Sequence, residues 1–175
     1  DAAWSEVSTA DATARDALSE MRTWVRALSP VRDRDATGAA AFEAIAESFR
    51  GTGLEVVVEA DGEDLPLSQD ASLLLYRCVQ EGLTNALRHG RAQSVHITLT
   101  ADDQQLALTI VSDLDQEARE RLPPGEISPG FGLRGLADRA AALGGTVGAQ
   151  HRQGRVELAV RLDRRLAVES SDAAA

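Results

Sequence analysis

Three polar residues, Glu81, Asn85 and His89, recur every four positions in a stretch with a helical pattern. On an α-helix this spacing stacks a carboxylate, an amide and an imidazole along one face. The opposite face is apolar, and it consists of Leu74, Leu75, Cys78, Leu83 and Leu87. Such a helix should be largely buried, where polar groups are costly without partners. One suitable partner is a hydrated Mg²⁺ ion bridging to phosphates, since Mg²⁺ prefers oxygen ligands and keeps several waters. The alternative is a solvated helix face.

A glycine-rich segment downstream could approach those phosphates. Gly130, Gly132 and Gly135 open an apolar, helix-compatible segment that continues through residues 131–143. Glycine lets backbone N–H groups come close to a ligand, and a helix N-terminus favours anions. The spacing is not that of a P-loop, and the segment does not follow a strand as a dinucleotide-binding fingerprint does. The glycines alone are a weak signal, but together with the polar helix they indicate a nucleotide site.

Together the two segments resemble the N box and the G box of the GHKL ATPase superfamily, in the form found in DesK/NarX-like sensor histidine kinases. Residues 80–90 (QEGLTNALRHG) are similar to the N box, and residues 130–145 (GFGLRGLADRAAALGG) are similar to the G box with its following helix. The resemblance covers about residues 10–163. It implies a Bergerat fold, which is an α+β two-layer sandwich with a mixed, mostly antiparallel sheet.

The resemblance also assigns roles to individual residues. Glu81 would order a water or act as the catalytic base, and Asn85 would ligate Mg²⁺. The expected nucleotide-binding residues are Asn85, Arg88, His89, Ser112, Asp113, Gly130, Gly132, Leu133, Arg134 and Gly135. The residues alone leave alternatives open, because Glu81 could instead pair with Arg77 four positions earlier, and Arg88 and His89 could be exposed at a helix end.

The pattern breaks where the family has an Asp-x-Gly-x-Gly box that bonds adenine. The corresponding segment runs Ile110-Val111-Ser112-Asp113-Leu114-Asp115, and no glycine follows before Gly125. Apolar residues alternate at Leu106, Leu108 and Ile110, so the period of two places Ser112 on the pocket side. Either a bulge turns Asp113 inward, or Ser112 meets the base directly or through water. The third alternative is that Asp113 and Asp115 are solvated loop residues.

The composition excludes several further classes of function. The formal net charge of −10 argues against direct nucleic-acid binding. All 18 basic residues are arginine, which excludes mechanisms that need a lysine at the phosphates. The single Cys78 excludes an internal disulfide and is expected to be a small buried hydrophobe. No apolar run approaches the ~18 residues of a membrane span, so we expect a cytoplasmic protein or the cytoplasmic part of a membrane-bound sensor.

The N-terminal segment predicts a helix of a different kind. Its apolar residues alternate at spacings of three and four over about three heptads, namely Val7, Ala10, Ala14, Ala17, Met21, Trp24 and Leu28. Residues 1–30 therefore resemble part of the dimerisation and phosphoacceptor domain of the same kinases, and a linker over 31–38 follows. The alternative is an amphipathic helix folded back on its own domain. The histidines are His89, His96 and His151, and none precedes this helix. The phosphoacceptor is therefore expected to lie outside this chain, or the protein never had one.

The remaining elements follow from periodicity and turn residues. We predict a helix over 39–50 with Phe42, Ile45 and Phe49 inward, and Ser68 as the N-cap of the N-box helix. Strands are predicted at 54–60, 95–99, 106–110, 146–149 and 155–162, the last two joined around Gln153-Gly154. Residues 113–129 are expected to be a mobile loop, and the ATP-binding domain is expected to span 39–163, with a disordered tail over 164–175.

The leading interpretation is the ATP-binding catalytic domain of a two-component sensor histidine kinase. It would use Mg²⁺ and ATP, form homodimers through the N-terminal helix, and act with a response regulator that carries a LuxR-type DNA-binding domain. Two alternatives stand beside it. One is a non-catalytic, degenerate GHKL module, which the missing glycine box favours. The other is an anti-sigma-factor serine kinase, against which the heptad pattern argues.

Overall fold

The computed structural model describes residues 39–61, 66–127 and 131–168. All of them belong to the second of two units of the chain, residues 33–175. The predicted heptad helix over 1–30 and the linker over 31–38 lie outside the described residues. No helix in the described ranges is long and apolar enough to cross a membrane.

The described chain contains both helices and strands. In chain order the elements are α1 (Ala39–Arg50), β1 (Glu55–Asp61), α2 (Gln69–Asn85), a π-helical turn (Ala86–Gly90), β2 (Ser94–Ala101), β3 (Gln105–Asp113), α3 (Gln116–Arg121), β4 (Gly125–Glu126), α4 (Phe131–Ala142), β5 (Thr146–Arg152), β6 (Arg155–Asp163) and α5 (Arg164–Ala167).

The strands form one open sheet in the order β1-β2-β3-β6-β5-β4. Strands β1 and β2 are parallel, and the other neighbouring pairs are antiparallel. Helices α1, α2 and α4 pack in a row across the sheet, with α1 against β1, α2 against β3 and β6, and α4 against β5. The predicted α+β two-layer sandwich with a mixed, mostly antiparallel sheet is confirmed.

Alternating apolar residues fix the register of the central strands. Ile97 on β2 lies opposite Ile110 on β3, and Leu99 lies opposite Leu108. All four side chains are buried, whereas His96, which directly precedes Ile97 on β2, is exposed. Because side chains alternate across a strand, one face of the sheet builds the core beneath the helices.

Helix α2 begins and packs as its sequence predicts. The Ser68 hydroxyl accepts a hydrogen bond from the Ala71 N–H at 3.3 Å, which confirms the N-cap. The buried face includes Leu74, Leu75, Cys78, Val79 and Leu83. Gly82 lies directly over β3, since a Cβ there would be 2.9 Å from Ile110 Cδ1. This close approach brings the polar face of α2 next to the sheet.

Two predictions about connections were wrong. Residues 113–129 were expected to be a loop, but they contain α3 and the short strand β4. Helix α3 forms because the Asp115 carboxylate accepts from the Ala118 N–H at 2.7 Å and caps it. Its buried residue, Ala118, anchors it to the domain. The charges and prolines around this segment concealed the apolar positions that hold it.

The predicted start of the disordered tail, at residue 164, was also wrong. The chain forms helix α5 directly after residue 163, because the Asp163 carboxylate caps this helix by accepting a hydrogen bond from the Arg165 N–H at 2.8 Å. Ala167 is fully buried, and the Ser68 N–H donates to its carbonyl at 2.8 Å. Val168 then forms a β-bridge with Leu67. The folded domain therefore extends at least to residue 168 rather than ending at 163.

Candidate functional site

A cavity of about 450 Å³ lies between α2, the sheet and α3. Its polar lining residues within the described ranges are Glu81, Asn85, His89, Ser112 and Arg121. The apolar lining comes from the sheet, α3, α4 and nearby segments: Ala86, Ile110, Leu114, Ala118, Leu122, Ile127, Leu133, Ala149, Val156 and Leu158. Gly82, Gly90 and Gly132 complete the wall. One part of the cavity thus offers ionic and amide groups, and the rest suits a flat apolar ligand such as an aromatic ring.

The predicted polar row does line this cavity. The Asn85 Nδ2 atom donates to Glu81 Oε1 at 3.2 Å, so the amide oxygen of Asn85 is left for another ligand. His89 follows one turn later, inside the π-helical turn Ala86–Gly90. Such turns are often found at functional sites, because the widened turn re-aims its side chains. A carboxylate and a free amide oxygen are ligands that suit a hard cation.

The alternative salt bridge for Glu81 is wrong. Arg77 instead donates to the Gln80 side-chain oxygen at 3.0 Å. The Glu81 carboxylate faces the cavity and the start of α4. A Cβ built on Gly132 would lie 2.6 Å from Glu81 Oε1, so the backbone at the start of α4 approaches the carboxylate as closely as glycine alone permits. The N-box helix and the G-box helix therefore meet at this carboxylate.

Strand β3 presents Ser112 to the cavity and Asp113 away from it. Ser112 is only 6 % exposed and lines the cavity floor, as the alternation of the strand predicts. The Ser94 hydroxyl donates to Asp113 Oδ2 at 2.7 Å, and Arg155 Nε donates to Oδ1 at 2.9 Å. The Ser94 hydrogen bond and the Arg155 cation hold the pKa of Asp113 below its usual value. No bulge turns Asp113 inward, so the Ser112 alternative matches the geometry.

The other predicted residues divide into two groups. Gly132 and Leu133 line the cavity at the start of α4. Arg88, Arg134 and Gly135 do not line it; Arg88 and Arg134 are exposed, and a Cβ at Gly135 would meet nothing within 4 Å. Gly130 lies outside the described residues. The structure thus gathers the α2 row, Ser112 and the first turn of α4, but not the arginines predicted near the phosphates.

Helix α3 and the residues that flank it contribute wall residues that the sequence did not reveal. Leu114, Ala118 and Leu122 recur every four positions and close one side of the cavity. Arg121 lies beside them, and its Nε is 3.8 Å from Glu117 Oε1, a long contact between exposed groups. Exposed pairs of this kind contribute little, so Arg121 remains able to reach a ligand anion. The repeat of Leu114, Ala118 and Leu122 was the available signal.

In the part of the chain that the structure describes, neither a nucleophilic thiol nor a complete metal cage accompanies these groups. Burial raises the pKa of the Cys78 thiol to about 12, with the nearby Glu81 carboxylate as a second cause. The thiol is therefore protonated, as expected of a small buried hydrophobe. Within the described ranges, no cluster of three or more His, Cys, Asp or Glu side chains could hold a metal ion. Any Mg²⁺ held by Asn85 would need waters or ligand phosphates to complete its coordination.

A buried histidine on β5 was not singled out by its sequence. His151 is 3 % exposed, and neither ring nitrogen has a hydrogen-bond partner among the residues that the structure describes. It lies opposite Val156 in the β5–β6 ladder, two positions beyond Ala149, so it shares the cavity-side face of the sheet. A buried polar side chain without partners costs stability.

We expect His151→Leu to raise the free energy of unfolding by about 1–3 kcal/mol, because leucine fills similar space without unpaired nitrogens. Urea denaturation measures the change. The matched control is His96→Leu on the exposed side of β2, which should produce no such gain. Destabilisation by His151→Leu would instead show that the imidazole makes a favourable polar interaction.

The amino-acid sequence is similar to those of two curated kinases. It is 33% identical over 112 residues to the signal transduction histidine-protein kinase/phosphatase UhpB of Salmonella typhimurium, a match that covers 59% of this chain and 21% of UhpB. It is 33% identical over 144 residues to the sensor histidine kinase LnrJ of Bacillus subtilis, covering 81% of this chain and 33% of LnrJ. The chain therefore spans a third or less of each relative. No protein-family model matches the chain.

The fold is similar to that of a solved ATP-binding domain. The ATP binding domain of PrrB from Mycobacterium tuberculosis superposes with a TM-score of 0.54 at 18% identity, covering 77% of this chain and 96% of PrrB's domain. At this identity the likeness concerns the fold alone.

Proposed function

This chain belongs to the sensor histidine kinases, and we propose that it binds ATP with Mg²⁺ and positions the γ-phosphate for transfer to a histidine outside this chain. Phosphoryl transfer needs little covalent chemistry from the protein, since catalysis is mostly positioning and charge neutralisation. A domain that holds the nucleotide in a fixed cavity suits that task.

The observation that carries the proposal is the Glu81–Asn85 pair beside Gly132. The 3.2 Å hydrogen bond uses the nitrogen of the Asn85 amide and leaves its oxygen for a cation. We propose that Asn85 ligates Mg²⁺ and that Glu81 orders a water or acts as the base. Among the described residues, His89 and Arg121 are the basic side chains that line the cavity, and we assign phosphate contacts to them.

The partners in the whole protein follow from the family. We propose that a response regulator receives the phosphoryl group and that it carries a LuxR-type DNA-binding domain. Residues 1–30 are proposed to form a helix that joins two copies of the protein. The heptad pattern of that segment supports this role.

A second candidate function is a non-catalytic module, and one observation favours it. Both carboxylate oxygens of Asp113 are hydrogen-bonded, to Ser94 and Arg155, so this carboxylate is not directed into the cavity to recognise a base. In this alternative the domain would bind nucleotide weakly or not at all and would serve as a docking surface.

A calorimetric titration with ATP, in the presence and in the absence of Mg²⁺, tests the proposal. We expect the affinity to be at least about tenfold higher with Mg²⁺, because the ion bridges the phosphates to Asn85. Equal affinities would contradict the assigned role of the cation. Absence of binding in both conditions would favour the non-catalytic module.

A further inference from the structure

The start of α3 is tied to the π-helical turn by the backbone of Asp115. The Asp115 N–H donates to the Gly90 carbonyl at 3.0 Å. Beside this bond Leu114 is buried, and a Cβ on Gly90 would lie 3.1 Å from Leu114 Cδ2. The turn that contains His89 and the helix that contains Arg121 therefore meet at one close contact.

Helix α3 is too short to be stable without support from its surroundings. It has six residues, whereas isolated helices of fewer than about 12 residues are marginal in water. Two hydrogen bonds of its first turn end on Asp115. The Asp115 carboxylate accepts from the Ala118 N–H at 2.7 Å, and the Asp115 carbonyl accepts from the Arg119 N–H at 3.0 Å. The bond to the carboxylate is the one that a substitution can remove.

An ion pair also joins the two elements, but it contributes less. Arg91 directly follows the π-helical turn, and its Nη1 lies 2.9 Å from Glu117 Oε2 on α3. The two side chains are 63 % and 58 % exposed, and ion pairs between exposed groups contribute little to stability. An N-cap carboxylate typically contributes more. The placement of α3 therefore depends more on the Asp115 cap than on this ion pair.

We propose that Asp115 is a positioning residue for the nucleotide, because its carboxylate holds α3 in the place from which Arg121 reaches the phosphates. This inference rests on the proposed function, which assigns a phosphate contact to Arg121. Ala118 and Arg121 of α3 line the cavity, whereas Asp115 is not among the described residues that do. Asp115 therefore acts on the ligand through the helix that it caps.

Calorimetric titration of the full chain with Mg-ATP compares the parent with two variants of this residue. We expect Asp115→Ala to weaken binding by about fivefold to thirtyfold, because a smaller fraction of the chains then has α3 formed. Asparagine caps a helix about as well as aspartate does, so Asp115→Asn should stay within about twofold of the parent. Equal losses in the two variants would overturn the inference, since the charge rather than the cap would then matter. An unchanged affinity of Asp115→Ala would overturn it as well.

A double-mutant cycle tests whether the effect passes through Arg121. Arg121→Gln removes the cation and keeps a side chain of similar helix propensity. In this background Asp115→Ala should weaken Mg-ATP binding by less than about twofold, because the group that it places is already gone. If the factor is the same with and without Arg121, the two residues act independently and the inference is wrong.

Asp163→Ala is the matched control. The Asp163 carboxylate caps α5 in the same way, by accepting from the Arg165 N–H at 2.8 Å, but α5 supplies none of the described residues that line the cavity. This variant should bind Mg-ATP like the parent, and thermal unfolding shows whether each variant is folded. A loss as large as that of Asp115→Ala would show a general effect of removing a cap and would overturn the inference.

The parent chain separates a failure of this inference from a failure of the proposed function. If the parent does not bind Mg-ATP, the proposed function itself is refuted. If the parent binds Mg-ATP and Asp115→Ala binds it equally well, only the positioning role of Asp115 is refuted.

Discussion

Asn85→Ala should remove the Mg²⁺ dependence of nucleotide binding. The variant loses the amide oxygen that we assign to the cation and the 3.2 Å hydrogen bond to Glu81. A hydrogen bond to a charged group contributes about 1.5–3 kcal/mol, so the affinity for Mg-ATP should fall by about tenfold to a hundredfold. Titrations with and without Mg²⁺ should then give the same dissociation constant.

A matched amide on the surface provides the control for this variant. Gln104 lies exposed in the turn between β2 and β3, and its backbone N–H, not its side chain, bonds to Asp102. Gln104→Ala should leave both the affinity and the Mg²⁺ dependence unchanged. Asn85→Asp keeps an oxygen ligand and should retain part of the dependence. A parent-like response of Asn85→Ala to Mg²⁺ would exclude Asn85 as the ligand.

The fold was predictable because its main signals are local. Period-two alternation located β2 and β3 and placed Ser112, rather than Asp113, on the inner face. The Ser68 cap and the spacing of Glu81, Asn85 and His89 located α2 and its row of polar side chains. The turn at Gln153-Gly154 has φ values of 52° and 76°, the geometry that a two-residue hairpin with glycine favours.

The features that escaped prediction depend on partners distant in sequence. Strand β4 is two residues long, and it exists because Gly125 and Glu126 pair with His151 and Gln150. Helix α3 has six residues, too few for a reliable periodic signal. Its role as a cavity wall depends on its packing, which brings Arg121 to a site defined by α2. The sequence could not reveal the ion pair between Asp113 and Arg155 either, since the two residues are 42 positions apart.

A second prediction concerns the contact between the two sequence motifs. We expect Gly132→Ala to lower the Mg²⁺-dependent affinity for ATP by about tenfold or more. The added Cβ would lie 2.6 Å from Glu81 Oε1, so the carboxylate must shift, and we expect this shift to break its hydrogen bond with Asn85 Nδ2. Losing a hydrogen bond to a charged acceptor costs about 1.5–3 kcal/mol, and the freed amide no longer presents its oxygen in one orientation. Calorimetry with and without Mg²⁺ measures the effect.

The same helix contains the control, which separates this contact from a general effect of alanine. A Cβ on Gly135 would meet nothing within 4 Å, and Gly135 does not line the cavity. Gly135→Ala should therefore keep the parent affinity while stabilising α4 by up to about 1 kcal/mol, since alanine favours a helix more than glycine does. Thermal unfolding shows whether both variants remain folded. Equal losses of affinity in the two variants would show that α4 as a whole, rather than its contact with Glu81, controls binding. A parent-like affinity in Gly132→Ala would show that Glu81 adopts another rotamer without releasing Asn85.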